Sequence, residues 1–178
     1  MANFQYSRNP PKTLTEKILI TIDFYNSPDW IFIHRDAENI TDPIITRTIE
    51  IESAISAANI QNPPIHVKII PIKMSEAWLL IDTEAIRRAA ANPNGKVDIQ
   101  LPSINRLETL SNPKDELFSL LKKASGLTGR RLEKFNVHHA RYLVAQYIQD
   151  FNVLNNLTGY RHFIEQIEKL SNPPTSPH

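Results

Sequence analysis

Apolar residues in the first third of the chain follow a helical spacing and then a strand-like one. Thr13 and Glu16 form the pattern of a capping box, which predicts a helix from there to about Tyr25 with Ile18 and Ile22 on its inner face. The uninterrupted apolar run 30–33 that follows is of strand length. A run without polar positions is typical of a strand covered on both faces, as in a parallel sheet.

The same order of helix and strand is repeated once. Pro43 after Asp42 predicts a helix start, and this helix is expected to end near Asn59. Four of its apolar residues are expected to face inward: Ile45, Ile49, Ile55 and Ala58. Residues 65–72 (IHVKIIPI) predict a second strand. Helix, strand, helix, strand over about 60 residues indicates an α/β fold with a small, mostly parallel sheet flanked by helices.

The rest of the chain is predicted to be helical. Helices are expected at 75–80, at 83–91 capped by Asp82, at 113–125 ending at Gly126, and near 138–150 and 159–170. Residues 96–111 fit neither pattern, residues 1–12 are expected to be irregular, and 171–178 form a tail. We expect one domain over 1–178, with an α/β part at 12–100 and a helical part at 101–170.

Composition excludes several classes of protein. The 178 residues contain no cysteine, which rules out disulfides, thiol nucleophiles and cysteine-ligated metals. Only four glycines are present, too few for a glycine-rich nucleotide loop. No apolar run approaches the roughly 20 residues of a membrane helix, and the N-terminus lacks a signal-peptide core. The sequence therefore predicts a soluble cytoplasmic protein without membrane contact.

Charge is unevenly distributed along the chain. Residues 1–86 carry a net charge of −4, residues 87–142 carry +6, and residues 143–178 carry −1. The overall net charge of +1 hides this separation. An acidic first half and a basic middle segment indicate two different binding roles.

Three carboxylates follow the predicted strands. Asp36 and Glu38 lie just past strand 30–34, and Glu76 lies just past strand 65–72. Ligands of open α/β sheets collect beyond the carboxyl ends of strands, so these acids are candidate ligands for Mg²⁺ or Mn²⁺. The alternative is that Asp36 and Glu38 are ordinary loop acids and that Glu76 only complements a helix dipole.

Arginines dominate the basic middle segment. Arg130 and Arg131 lie in the loop-like stretch 126–135, and Arg87 follows Glu76 by eleven positions. Together with Arg35 they are candidate contacts to phosphate, because the guanidinium fork matches phosphate oxygens. The functional interpretation is a track for a nucleic-acid backbone beside a metal centre. The alternative is a set of solvated helix faces.

Three segments resemble a bacterial Toprim-like family of uncharacterised proteins: HRDAE at 34–38, PIKMSEAWLLIDTEAIRRAAANPNG at 71–95, and LETLSNPKDELFSLLKKASGLTGRRLEKFN at 107–136. The resemblance covers roughly residues 12–170. It implies Mg²⁺-dependent chemistry on nucleic-acid phosphodiesters, with Asp36 and Glu38 matching the paired-acid motif and Glu76 a third ligand. Relatives are often encoded near ATPases in mobile or phage-defence loci, which implies an ATPase partner.

The sequence departs from the family pattern at its start. The resemblance implies a further strand and a glutamate before Pro10, and no acid occurs before Glu16, which the capping box explains. Three accounts are open: a truncated remnant, a strand supplied by a partner, or a family that does not need it. A missing strand would expose a sheet edge and invite either a homodimer or pairing with a partner protein.

These observations predict a Mg²⁺-dependent nuclease or nuclease-like protein in which Asp36, Glu38 and Glu76 hold metal and the arginines hold phosphate. The alternative is a non-catalytic binding or regulatory partner of an ATPase. A third interpretation is an inactive gene fragment.

Overall fold

The computed structural model describes residues 10–171 of the chain. The predictions for Met1–Asn9 and for the tail at 172–178 lie outside the described residues. The chain forms two compact units, one containing residues up to Ile70 together with those from His162 on, the other containing residues 71–161. The sequence predicted that the helical part begins at residue 101, whereas the second unit begins at Pro71. The expectation of a single domain stays a prediction.

The first unit contains two helix–strand pairs and most of the last helix. Its elements are α1 (Leu14–Phe24), β1 (Trp30–His34), α2 (Pro43–Ala58), β2 (Ile65–Ile69) and α7 (Thr158–Ser171), whose first turn belongs to the second unit. The predicted capping box is confirmed at the start of α1. The Glu16 amide donates to Thr13 Oγ1 at 3.1 Å, and the Thr13 amide donates to the Glu16 carboxylate at 3.1 Å.

The strands β1 and β2 pair in parallel, which confirms the predicted α/β class with a small parallel sheet. Trp30 lies opposite Ile65, and His34 lies opposite Ile69. The second strand is shorter than the predicted 65–72, since it ends at Ile69. Pro71 has no backbone N–H and does not extend the hydrogen-bonded ladder.

One face of β1 is covered and the other is exposed, so the prediction that both faces are buried was wrong. Ile31 and Ile33 are buried against the helices of the first unit. Trp30 and Phe32 point to the other face and are 41% and 55% exposed. A continuous apolar run therefore does not indicate two buried faces here, because the exposed face of the strand is itself aromatic.

The inner face of α2 also differs from the prediction. Ile45 and Ile49 are 62% and 59% exposed, whereas Ile51 and Ala54 are buried. Ile44 packs against the same cluster as Ile51. At 3.6 residues per turn, Ile45 and Ile49 lie roughly 100–140° around the helix from Ile44. The helix carries apolar residues on two faces, and packing on α1 and the sheet selects one of them.

The outer edge of β2 is closed by a side chain from α7. The Lys68 amide donates to Gln166 Oε1 at 2.9 Å, and Gln166 Nε2 donates to the Lys68 carbonyl at 2.9 Å. A carboxamide paired in this way satisfies the same two backbone groups that a neighbouring strand would satisfy. Glu52 adds an ion pair to Lys68 Nζ at 2.7 Å and a hydrogen bond with His66 Nε2 at 3.2 Å.

The second unit is helical throughout its regular structure. Its elements are a 3₁₀ helix (Ser75–Leu79), α3 (Thr83–Ala89), a 3₁₀ helix (Ile104–Thr109), α4 (Pro113–Ser125), α5 (Gly129–Glu133), α6 (Val137–Tyr147) and a 3₁₀ helix (Asn152–Asn156). The short helix α5 and the later two 3₁₀ helices were not predicted. Among the helices of residues 10–171, none combines the length and the apolar composition that crossing a bilayer requires.

Helix α4 agrees with the prediction at both ends and on its inner face. Asn112 Oδ1 accepts the Asp115 amide at 3.3 Å, and Gly126 ends the helix with φ of +65°, where a side chain would be strained. Leu117 and Leu121 are fully buried in the unit's core. Asn92 Nδ2 donates to the Ala124 carbonyl at 2.9 Å, so the end of the helix is fixed from the 92–95 turn.

Candidate functional site

The loop after β1 holds the predicted paired acids on either side of a buried residue. Ala37 is fully buried, whereas Asp36 is partly exposed and Glu38 is exposed. Asp36 Oδ1 lies 3.1 Å from His34 Nε2. The Asp36 carbonyl accepts a hydrogen bond of 3.0 Å from Arg47 Nε, which ties the loop to α2. Both carboxylates thus lie at the carboxyl end of a parallel strand, as predicted.

Arg35 forms an ion pair inside the first unit. Its Nη2 lies 2.6 Å from Glu50 Oε1, and Arg47 Nη1 lies 2.5 Å from the other oxygen of Glu50. Burial by itself raises the pKa of the Glu50 carboxyl, but the hydrogen bonds and charges of Arg47 and Arg35 outweigh it and hold this pKa below its usual value. The predicted contact of Arg35 to phosphate would have to share the guanidinium with Glu50.

Glu76 is buried in the second unit and is bound by an arginine. It lies in the first turn of the 3₁₀ helix Ser75–Leu79, and its side chain is 7% exposed. Arg141 Nη1 from α6 donates to Glu76 Oε1 at 2.6 Å. A buried carboxylate requires such a partner, since removing a charge from water is costly. Sequence reasoning missed Arg141, because no local pattern connects residues 65 positions apart.

The predicted metal ligands fit a divalent cation to different degrees. Asp36 and Glu38 supply hard carboxylate oxygens of the kind that Mg²⁺ binds. Glu76 already binds Arg141, and it belongs to the second unit, whereas Asp36 and Glu38 belong to the first. Within residues 10–171 no group of three or more histidine, aspartate or glutamate side chains has a metal-binding arrangement. A shared cation at all three acids stays a prediction.

Arg87 holds a turn in place. Its Nη1 donates to the Gly95 carbonyl, and its Nη2 donates to the Val97 carbonyl at 2.6 Å. The neighbouring Arg88 stacks over the Tyr147 ring, with its guanidinium carbon 4.4 Å from the ring centroid. The predicted phosphate role of Arg87 therefore competes with two backbone hydrogen bonds that stabilise the second unit.

Five further cations of the basic segment, close together in sequence, form what we call the basic surface. It consists of five exposed side chains on the last turn of α4 and on α5 with its C-cap: Lys122, Lys123, Arg130, Arg131 and Lys134. Within the described residues none of the five forms an ion pair. Glu133 is the single acid between positions 122 and 139. Arg130 and Arg131 therefore differ from Arg35 and Arg87, whose guanidinium groups already hold partners within their own units.

Two histidines at the start of α6 adjoin the basic surface in sequence. Asn136 caps this helix by accepting the His139 amide at 3.0 Å. His138 packs edge-on against Phe118 of α4 with ring centroids 5.0 Å apart, and Lys114 Nζ lies 5.8 Å from the centroid of the same Phe118 ring. These contacts fix the start of α6 on α4, which carries part of the basic surface.

Comparison with known proteins yields no relative. No family model, curated protein or solved structure matches this chain. The resemblance to the Toprim-like family therefore stays a prediction, and the function is argued from the residues of this chain.

Proposed function

We propose that this protein binds the phosphate backbone of nucleic acid through the basic surface. The supporting observation is five exposed cations within thirteen residues that no carboxylate neutralises among residues 10–171. A protein that places lysine and arginine on phosphates releases condensed counterions, and this release drives binding without regard to sequence.

The structure of the second unit suits such a surface. Helix α4 is held by its buried leucines and by Asn92, so Lys122 and Lys123 project from a supported helix end. Helix α5 begins three residues after the cap Gly126 and carries Arg130 and Arg131 at adjacent positions. Adjacent residues on a helix point in different directions, so each guanidinium would take a separate phosphate.

Replacing Arg130 and Arg131 with glutamine is expected to weaken binding and to lower its salt dependence. Each phosphate contact contributes about 0.9 to the slope of log K against log salt on duplex DNA, so the slope should fall by about 2. Fluorescence anisotropy with a short labelled duplex, a single strand and a hairpin RNA over a salt series measures both effects.

The matched control is the pair Arg161→Gln with Lys169→Gln. These cations are also exposed, lie on α7 outside the basic surface, and remove the same net charge. If the two double variants lower the slope equally, net charge rather than the basic surface drives binding. Binding with no salt dependence in the unaltered protein would reject the proposal.

A second candidate function is Mg²⁺-dependent cleavage of nucleic-acid phosphodiesters. The observation favouring it is that Asp36 and Glu38 flank the buried Ala37 directly beyond the carboxyl end of a parallel strand. In this proposal the two carboxylates would hold the cation, which would neutralise phosphate charge and activate water. Glu76, the third predicted ligand, would have to leave Arg141 to take part.

The cleavage proposal predicts metal-dependent products that disappear in the variant Asp36→Ala. Plasmid, single-stranded DNA and tRNA are incubated with the protein in Mg²⁺ and in Mn²⁺, and products are resolved on gels. Asp29→Ala, an exposed acid at the other end of β1, is the matched control and should cleave normally. Equal cleavage by Asp36→Ala and the unaltered protein would identify a contaminating nuclease.

The Toprim-like resemblance suggests two roles for these activities, either a nuclease-like protein in phage defence or a binding and regulatory partner of an ATPase. Backbone binding without metal-dependent cleavage would favour the partner role. Cleavage that requires Asp36 would favour the nuclease.

A further inference from the structure

The two edges of the sheet in the first unit differ. The outer edge of β2 is closed by the Gln166 carboxamide on Lys68. The outer edge of β1 has no neighbouring strand among residues 10–171, because the sheet described there contains only β1 and β2. The outer edge of β2 is therefore protected at Lys68, whereas no side chain of the described residues forms such a pair with the outer edge of β1.

The hydrogen-bond ladder shows which residues of β1 face outward. The Asp29 carbonyl accepts the Ile65 amide at 2.9 Å, and the Arg35 amide donates to the Ile69 carbonyl at 3.0 Å. In a parallel ladder the N–H and C=O of one residue point to the same side, and successive residues alternate. The odd-numbered residues of this strand thus face β2. The backbone groups of Trp30, Phe32 and His34 face away from it.

The five residues of strand β1 carry none of the sequence features that usually protect a sheet edge, and the neighbouring ring of Phe163, with its centroid 6.5 Å from that of Phe32, leaves Phe32 largely exposed. Natural edges carry lysine, proline or a bulge that prevents pairing with another chain. The sequence of β1 is WIFIH, without lysine or proline, and Trp30 and Phe32 are 41% and 55% exposed. Exposed aromatic side chains beside open backbone groups favour pairing, since aromatic cross-strand pairs stabilise a sheet.

We propose that two copies of this chain pair through β1 in an antiparallel, two-fold symmetric arrangement centred on Phe32. In this register Phe32 lies opposite Phe32 of the second copy, and Trp30 lies opposite His34. The three outward-facing residues of each copy then form hydrogen-bonded pairs, which satisfies every open N–H and C=O of the strand. Ile31 lies opposite Ile33 on the covered face.

Charge complementarity supports the same register. Asp29 of one copy lies opposite Arg35 of the other, and symmetry provides this pair twice. Asp29 is exposed, and Arg35 has five N–H donors, of which Glu50 engages only part. A shift of two residues in one direction would place Ile31 opposite Arg35. The register centred on Phe32 therefore pairs isoleucine with isoleucine, phenylalanine with phenylalanine, and aspartate with arginine.

The test uses the full chain and two opposite charges at position 32. F32K and F32E each place like charges opposite one another across the symmetry axis, so the dimer dissociation constant should rise roughly tenfold for each. Mixing equal amounts of the two variants places opposite charges on the axis and should restore a dimer. Sedimentation equilibrium measures all three samples, and F24K, at a position 75% exposed on α1, is the matched control.

Four outcomes would overturn the proposal. These are a monomeric unaltered protein at high micromolar concentration, F32K alone dimerising as tightly as the unaltered protein, a mixture that dimerises no better than either variant alone, and equal weakening by F24K. Hydrogen exchange of the Phe32 amide distinguishes a second copy from an occupant within the same chain. Protection that increases with protein concentration supports the dimer, whereas protection independent of concentration contradicts it.

Discussion

Replacing Arg141 with alanine is expected to destabilise the second unit by about 2–4 kcal/mol, because it leaves the Glu76 carboxylate buried without a partner. Glu76→Ala should cost less. The side chain of Arg141 is 38% exposed and can return to water when its partner is lost. Arg141→Ala should therefore lower the free energy of unfolding more than Glu76→Ala does, because Glu76 is the more deeply buried of the two residues.

Urea denaturation followed by tryptophan fluorescence measures this effect. Trp78 reports on the second unit, where its ring lies 5.3 Å from that of Tyr160, and Trp30→Phe removes the signal of the first unit. The double variant Glu76→Leu with Arg141→Met is the control, since a well-packed apolar pair replaces buried ions at little cost. Equal effects of the two alanine variants would contradict a buried structural ion pair.

Leu117→Ala is expected to cost about 2–5 kcal/mol, because it removes a fully buried side chain from the core of the second unit and leaves a cavity. The same change should weaken binding through the basic surface at temperatures near the new midpoint, since α4 carries Lys122 and Lys123.

The matched control is Ser119→Ala, an exposed position on the same helix, which should change the free energy of unfolding by no more than about 0.5 kcal/mol. Urea denaturation of the Trp30→Phe protein compares the two variants directly. A change of under about 1 kcal/mol for Leu117→Ala would mean that the helix does not pack as described.

Local features of this fold were predictable and the choice of packing partner was not. The capping box at Thr13 and Glu16 and the Asn112 and Gly126 ends of α4 depend on a few neighbouring residues, and all were confirmed. The inner face of α2 depends on what packs against it. Ile45 satisfied the helical spacing but lies on the exposed face.

The candidate site shows the same division. The placement of Asp36 and Glu38 beyond a strand end follows from chain order alone and was predicted. Glu76 is bound by Arg141, and Arg87 donates to the carbonyls of Gly95 and Val97. None of these partners was predicted. The contact between Glu76 and Arg141 exists only after α6 packs against the other helices of the second unit. A charge count along the chain therefore identified the basic segment but not which of its cations stay available.

The Gln166 carboxamide on Lys68 has a consequence for how large the proposed assembly can become. Once β1 is used by a second copy, both outer strands of the resulting four-stranded sheet are β2, and each carries its own carboxamide on Lys68. An isologous contact of this kind terminates at two chains, whereas an open strand on both sides would permit a growing filament. In the proposed dimer, the Gln166 carboxamide on Lys68 therefore opposes the addition of a further chain at each outer strand.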